Sequence, residues 1–321
     1  MTRDCARCAM TLAHALAHAL APALAHKRPA RFNAPALLIV GCGDIGMRVA
    51  ALLRGRWRLL ALTSNPARVP ELRRAGMQPI VGDLDDPRSL GRLAGLADAV
   101  LHLAPPPAAG RHDTRTRNLL AALARKSSVR RIVYASTSGV YGDCGGALID
   151  EARGVNPRSE RAQRRVDAEA RLRWFGRAHQ VRVSLLRIPG IYAADRPGGH
   201  PRERLLRGTA VLRAQDDVYT NHIHADDLAR ICVAALQRGL PQRAVNASDD
   251  TAMQMGDYFD LAADLCGLAR PPRITRATAE TTLGAMQLSF MSESRRLVNR
   301  RLKTELRVRL RYPTVQQGLL A

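Results

Sequence analysis

Lysine is nearly missing from this chain. Of 50 basic residues only Lys27, Lys126 and Lys303 are lysines, so the formal charge of +22, set against 28 acidic residues, is almost entirely arginine. The arginines are scattered along the sequence instead of massed in a block. A biased base composition produces that pattern as readily as a polyanion-binding surface does, and the charge is read as a solvated face. Aromatic residues are scarce too, at 4%, which removes the stacking platform for single-stranded nucleic acid; no nucleic-acid partner is expected. Six cysteines at irregular spacing in 321 residues make no disulfide framework. Cys42, Cys232 and Cys266 lie in apolar contexts typical of buried thiols, and a reducing cytoplasm is the expected compartment. Cys5 and Cys8 form a lone C-x-x-C with no second pair or histidine set to complete a zinc site, so no metal is expected.

Long apolar runs are missing as well. The stretch from Ala9 to His26 is too short and too rich in histidine to span a bilayer, and Arg3 with Asp4 makes a poor signal-peptide start, so no membrane partner is expected. Residues 1–33 are read as a helical or disordered extension. His14, His18 and His26 stand at helical spacing, but no carboxylate or cysteine nearby would complete a metal site.

What is present is enough apolar residue, 46% of the chain, to bury a sizeable core. From Ala36 onward a short apolar strand, a turn and an amphipathic helix alternate, which predicts parallel βαβ units and an α/β doubly wound sheet of Rossmann type. The predicted strands are Ala36 to Val40, Arg58 to Leu62, Gln78 to Val81, Ala99 to Leu103, Arg131 to Ala135 and Val183 to Arg187. The predicted helices include Ile45 to Arg54, Arg111 to Lys126 and Ser159 to Ala178, the last beginning after Asn156-Pro157. Past Gly190 the alternation weakens and Pro197-Gly198-Gly199 marks a break. Residues 34–190 are therefore expected to form a dinucleotide-binding core, and residues 191–321 a smaller substrate-side lobe with returning elements of the core.

The first strand runs into Gly41-Cys-Gly43-Asp44-Ile45-Gly46, a G-x-G-x-x-G placed between strand and helix. In that setting Gly41 permits the tight turn, Gly43 lets the backbone approach a pyrophosphate and Gly46 lets the helix pack closely on the strand. The helix N-terminus, with Asp44 and Ile45 in its first turn, offers unpaired N–H groups and a favourable dipole to phosphates. At the end of the second strand the chain reads Thr63-Ser64-Asn65-Pro66-Ala67-Arg68. The acid that would bind a ribose 2′-hydroxyl is missing; Ser64 and Arg68 suit a 2′-phosphate instead, which favours NADP with NAD as the alternative. Asp83 and Leu84, after the third strand, are expected at the adenine edge, although Asp83 could equally cap a helix.

These blocks, with His102-Leu103-Ala104, Tyr134-Ala-Ser-Thr-Ser-Gly-Val140-Tyr141-Gly142, Leu186-Arg187-Ile-Pro189-Gly190-Ile-Tyr192 and His222-Ile-His224-Ala-Asp226-Asp227, make the chain resemble an extended short-chain dehydrogenase/reductase. The particular resemblance, from about Ala36 to Pro313, is to the NAD-dependent epimerase/dehydratase family. It implies that Ala104, Pro105 and Pro189 border the cofactor, and that Thr137 hydrogen-bonds a substrate oxygen. It also implies a Tyr-x-x-x-Lys pair on the following helix, in which the tyrosine exchanges a proton with that oxygen. Here the chain departs from the family. Counting back from Glu169, Arg165 falls on the lysine and Arg161 on the tyrosine, and no tyrosine in the chain has a lysine four residues later. An arginine stays protonated near neutral pH, so Arg161 cannot be the general acid, whereas Arg165 can still hold the nicotinamide ribose. The chain thus resembles the atypical members of the superfamily, as does the G-x-G-x-x-G spacing.

Two functional readings follow. One is an NAD(P)-linked epimerase/dehydratase-like oxidoreductase, with Thr137, Arg161 and Arg165 as the catalytic set. Its substrate is a polar or nucleotide-sugar-like small molecule that meets Arg161, Arg165 and Arg187. The other is a non-catalytic NADP-binding redox sensor or assembly factor. Tyr141, Tyr192 and His102 are conceivable substitute proton donors, each with a plain structural role as its alternative, and a homodimer is the assembly allowed for.

Overall fold

Seven short segments form one parallel sheet, in a computed structural model that describes residues 34–126 and 128–320. The extension over residues 1–33, with Cys5, Cys8, His14, His18 and His26, lies outside the described residues. The strands are β1 (Ala36–Val40), β2 (Arg58–Thr63), β3 (Gln78–Val81), β4 (Ala99–His102), β5 (Arg131–Thr137), β6 (Arg182–Ile188) and β7 (Arg243–Asn246). Their order across the sheet is β7-β6-β5-β4-β1-β2-β3, so the strand order reverses between β1 and β4. A Rossmann-type α/β fold follows, and the crevice beyond the carboxyl ends of β1 and β4 is where such sheets take their ligands.

β1 shows why these residues fold this way. All five side chains of Ala-Leu-Leu-Ile-Val are buried, as a central parallel strand requires. Because successive side chains alternate faces, Leu37 and Ile39 enter one apolar cluster and Leu38 and Val40 the other. On the first face lie the helices α1 (Asp44–Leu53) and α4 (Ala225–Arg238), which pack on each other. α1 buries Ile45, Val49 and Leu53 at the spacing of one helical stripe. On the second face lie α2 (Thr114–Ala124) and α3 (Glu160–Ala178), contributing Leu119, Leu123, Leu172 and Phe175.

Two helix starts are set by a capping side chain. α2 begins at Thr114 because Asp113 accepts from the Thr116 N–H at 2.9 Å, and α3 begins at Glu160 because Ser159 accepts from the Ala162 N–H at 3.3 Å. Each cap fixes the first turn where the side chain can reach it, so α2 starts three residues after the expected Arg111, whereas α3 keeps the expected Ser159 as its cap.

After β6 the chain makes the short parallel pair Gly190–Tyr192 with His222–His224, then α4, and returns through β7 to the sheet edge, with Arg243 opposite Ser184. α5 (Met255–Cys266) packs Tyr258, Phe259 and Ala262 against Leu205, Val211 and Val218 in an apolar cluster of its own. Cys42 and Cys232 are buried as expected, but Cys266, in the last turn of α5, is only partly so. Among the described residues no helix is long and apolar enough to cross a membrane, and no cluster of His, Cys, Asp or Glu could hold a metal.

Candidate active site

The G-x-G-x-x-G turn closes β1 and opens α1 at the reversal point. Gly41 has φ +83°, and a Cβ there would lie 2.6 Å from the Ala104 Cα, so both conformation and packing demand glycine. Gly46 is tight against Ile39 and Cys42, the close helix-on-strand packing the motif implies. Gly43 differs from both. Its backbone, at φ −84° and ψ −154°, is open to any residue, and a Cβ would meet nothing within 4 Å. Neither the fold nor the packing needs a glycine here, whereas a ligand backbone brought against the helix N-terminus would. The residues present therefore fit a dinucleotide pyrophosphate.

A cleft of about 630 Å³ lies over this turn, lined by Gly41, Gly43, Asp44, Ile45 and Gly46 on one side. Pro105, Thr137, Arg161, Arg165 and Pro189 line it elsewhere. Ala104 is buried directly behind Gly41. Asp44 would repel a phosphate if left bare, but Arg48 Nε and Arg196 Nη1 donate to its two oxygens at 2.9 and 2.7 Å. Arg48 also donates to Asp195 and Asp226, both at 2.5 Å, so one guanidinium ties α1 to the segment after Tyr192 and to α4.

Ser64, Arg68, Asp83 and Leu84 do not line the cleft. Ser64 is exposed. Arg68 Nη1 donates to the Cys42 carbonyl at 2.6 Å, placing its guanidinium against the turn, while Nε and Nη2 hold Glu71 at 2.9 and 3.0 Å. Asp83 accepts from the Asp85 N–H at 2.9 Å in a local turn and is not the expected cap, since Asp86 caps the short helix that follows. Leu84 is buried and its carbonyl accepts from Asn118.

A second cavity, of about 840 Å³, adjoins the first and shares Thr137, Arg161, Pro189, Ile191 and Arg196 with it. Thr137 ends β5 at this junction. Its Oγ1 accepts from the Gly139 N–H at 3.2 Å, which leaves its own proton free for another oxygen. Arg161 lies over the Phe290 ring, 5.9 Å from the centroid. Arg165 Nη1 donates to the Ala135 carbonyl at 2.7 Å and to the Tyr134 hydroxyl at 3.0 Å. A tyrosine thus does meet the residue at the lysine position, but from β5 beneath it. Tyr134 is fully buried, and desolvation pushes its hydroxyl up to about 12 although Arg165 pulls the other way, so it is no proton donor.

The three substitute donors take their structural alternatives. His102 is buried, bonded through Nε2 to Thr116 at 2.9 Å, and desolvation pushes its pKa down to about 3. The Tyr141 hydroxyl donates to Asn246 at 2.8 Å in the core. Tyr192 is buried and faces the Thr314 carbonyl at 3.4 Å, and burial raises its pKa. Arg187 requires a correction. It was expected to meet substrate; it lies 3% exposed beneath the site, its Nη2 donating to Glu169 at 2.9 Å, and Glu169 also accepts from Ser136 at 2.6 Å. A β-strand residue directed into the core needs a counter-ion there, and Glu169 supplies it.

Sequence reasoning missed Arg196, Arg204, His222, Tyr258 and Phe259, all of which line the second cavity. Two of them carried a signal: Arg196 closely follows the Pro189 to Tyr192 block, and His222 opens the His222 to Asp227 block.

Comparison with known proteins agrees with this geometry. No functionally curated protein matches the chain. Among solved structures, a functionally unknown conserved protein from Silicibacter pomeroyi is 29% identical, with a TM-score of 0.75 over 89% of this chain and 97% of that one. A UDP-glucose 4-epimerase from Thermotoga maritima, solved with UDP-glucose, is 18% identical, with a TM-score of 0.72 over 88% of this chain and 96% of that one. A UDP-glucuronic acid 4-epimerase from Bacillus cereus, in complex with a fluorinated UDP-sugar acid and NAD, is 18% identical, with a TM-score of 0.71 over 88% and 96%. At such identity the two epimerases show the fold alone. Residues 37–248 match the model of the NAD-dependent epimerase/dehydratase family, about two thirds of the sequence and every block from the Gly-rich turn to β7, and the chain belongs to that family.

Proposed function

We propose that this protein is an NADP-linked oxidoreductase of the epimerase or dehydratase type, of the atypical class without the Tyr-x-x-x-Lys pair, acting on a polar anionic substrate of nucleotide-sugar kind. The observation that carries the reading is the junction of the two cavities at Thr137 and Arg161. Residues 34–190 serve as the cofactor core and residues 191–321 as the substrate-side lobe. Gly41, Gly43, Asp44, Ile45 and Gly46 would hold the pyrophosphate, with Ala104, Pro105 and Pro189 bordering it. Asp83 and Leu84 would stand at the adenine edge, and Arg165 at the nicotinamide ribose. Ser64 and Arg68 support the 2′-phosphate, because no acid ends β2 and the Arg68 guanidinium already lies on the turn. When bound, the nicotinamide supplies hydride chemistry.

The protein's own part is positional and electrostatic. Thr137 donates to the reacting oxygen and fixes its distance from the cleft. Arg161 brings a fixed guanidinium charge that stabilises negative charge on that oxygen without giving up a proton. Calorimetry with NADPH, NADH and a panel of nucleotide sugars tests the assignment. Thr137→Val keeps shape and removes one hydroxyl; kcat should fall clearly with little change in cofactor affinity. Robust epimerase or dehydratase turnover insensitive to that change would place the catalytic group elsewhere.

The second reading, a cofactor-binding protein without turnover, is favoured by the burial of Tyr134 and by Arg161 at the tyrosine position. It expects cofactor binding with no reaction on any sugar of the panel. Arg161→Tyr with Arg165→Lys, which restores the acid and its partner, would then create activity where none existed.

A further inference from the structure

Arginines in this protein keep company. Arg48, Arg68, Arg187, Arg196, Arg243 and Arg295 each hold a carboxylate within 4 Å. Arg204 does not. It lines the second cavity from the short helix Arg202–Leu206, and its Nε and Nη2 are fully buried without a hydrogen-bond partner among the described residues. Its guanidinium carbon lies 4.3 Å from the centroid of Phe259. Burying a guanidinium with no counter-charge is strongly unfavourable, and an aromatic face returns only a small part of the loss.

We propose that Arg204 is an anion-binding residue of this cavity, taking a carboxylate or phosphate group of the substrate on the fork formed by its Nε–H and Nη2–H. The proposal rests on the reading of the adjoining cleft as a cofactor and substrate site. Nε and Nη2 lie on one edge of the planar guanidinium, the edge that meets two oxygens of a carboxylate or phosphate side by side. No acid in the cavity can serve instead, because the one acidic residue of the lining, Glu293, is already held by Arg295 at 2.7 Å. The Arg204 guanidinium packs on the Phe259 ring. The same wall carries a second orphan, the buried Nδ1 of His222, whose ring stacks on Tyr258 at 4.1 Å. Tyr258 in turn packs on Phe259 at 5.1 Å, so the charged fork and the neutral imidazole sit on one aromatic platform. Burial and the like charge of Arg207 both disfavour the cation on Arg204, and an arriving oxyanion relieves that cost.

The test is calorimetric titration of the full-length protein with inorganic phosphate and, separately, malonate at fixed ionic strength, with and without NADPH. Wild type should bind at least one of the two, and which one it binds tells a phosphate group from a carboxylate. Arg204→Met, which keeps the contact with Phe259, should weaken that binding tenfold or more. Arg207→Met, at the residue just after the same helix and exposed, should change it less than twofold. The apparent Tm of the ligand-free Arg204→Met variant should rise, because an uncompensated charge has gone. If that variant fails to fold, Arg204→Gln carries the same comparison. No binding of either anion by wild type, or wild-type affinity in the Arg204 variants, would overturn the proposal. Failure of wild type to bind NADPH would overturn the cofactor reading alone, since the anion titrations without NADPH stand apart from it.

Discussion

Gly43→Val separates a glycine kept for a ligand from one kept for the fold. At φ −84° and ψ −154° the backbone suits a β-branched residue, and the new Cβ meets no protein atom within 4 Å. Replacing glycine restricts the unfolded chain and stabilises by about 0.4–1 kcal/mol. Losing glycine at a helix N-cap costs a comparable amount, up to about 1 kcal/mol. The two offset, so stability should change by less than about 1 kcal/mol. Gly41→Ala is the contrast. The left-handed backbone at φ +83° costs about 1–2 kcal/mol in a residue with a Cβ, and overlap with the Ala104 backbone adds about 1–3 kcal/mol. Binding should reverse the order. The valine side chain would stand where a pyrophosphate must approach, and losing two charge-assisted hydrogen bonds at about 1.5–3 kcal/mol each lowers affinity by roughly a hundred- to ten-thousandfold. Thermal unfolding and NADPH calorimetry on the two variants check both halves. Unchanged NADPH affinity in a folded Gly43→Val protein would refute the assignment of the turn.

Arg68→Ala should weaken NADPH about ten- to a hundredfold and NADH little, the loss of one charge-assisted phosphate contact. Glu71→Gln should strengthen NADPH relative to NADH, because Glu71 now shares the guanidinium that the 2′-phosphate would use; equal affinity of wild type for both nucleotides would remove the basis for either result. Asp249 governs a pH dependence. Burial raises its pKa to about 8, so between pH 6.5 and 8 the folded protein holds a proton that the unfolded chain has lost, and stability should fall as pH rises, by up to about 1.4 kcal/mol per unit. The buried His102 and His222, pushed down to about 3, oppose this near pH 6.5, where the unfolded imidazoles are still about half protonated, so the fall due to Asp249 dominates only above about pH 7. Asp249→Asn, which keeps the acceptor for the Thr251 N–H, should flatten the Tm profile across that window.

The sheet was legible because a central parallel strand leaves an unbroken apolar run, and Ala36 to Val40 or Arg131 to Ala135 could be little else. The Gly-rich turn was legible because three glycines at fixed spacing stand between that run and an amphipathic helix. What could not be read were contacts between residues distant in sequence. Arg187 looked like a substrate ligand until Glu169, from α3, was seen beneath it. Arg204 carries no local signal among so many arginines; what distinguishes it is a guanidinium with both Nε and Nη2 buried and without a partner among the described residues. The start of α2 was shifted because capping by Asp113 depends on where its side chain meets one N–H.

The position of β1 in the middle of the sheet has a consequence for synthesis on the ribosome. Of the described strands the one made first becomes the centre, β2 and β3 add on one side in order, and β4 to β7 then add on the other in order. No strand has to insert between two already paired. The cost falls on β1, whose second edge stays open until β4 emerges roughly sixty residues later, about 3–12 s at ordinary elongation rates of about 5–20 residues per second. During that interval an exposed Ala-Leu-Leu-Ile-Val edge is a template for pairing with a neighbouring nascent chain. The finished sheet ends instead on β3, which carries Pro79, and on β7, which opens with Arg243, two edges poorly suited to accept another strand.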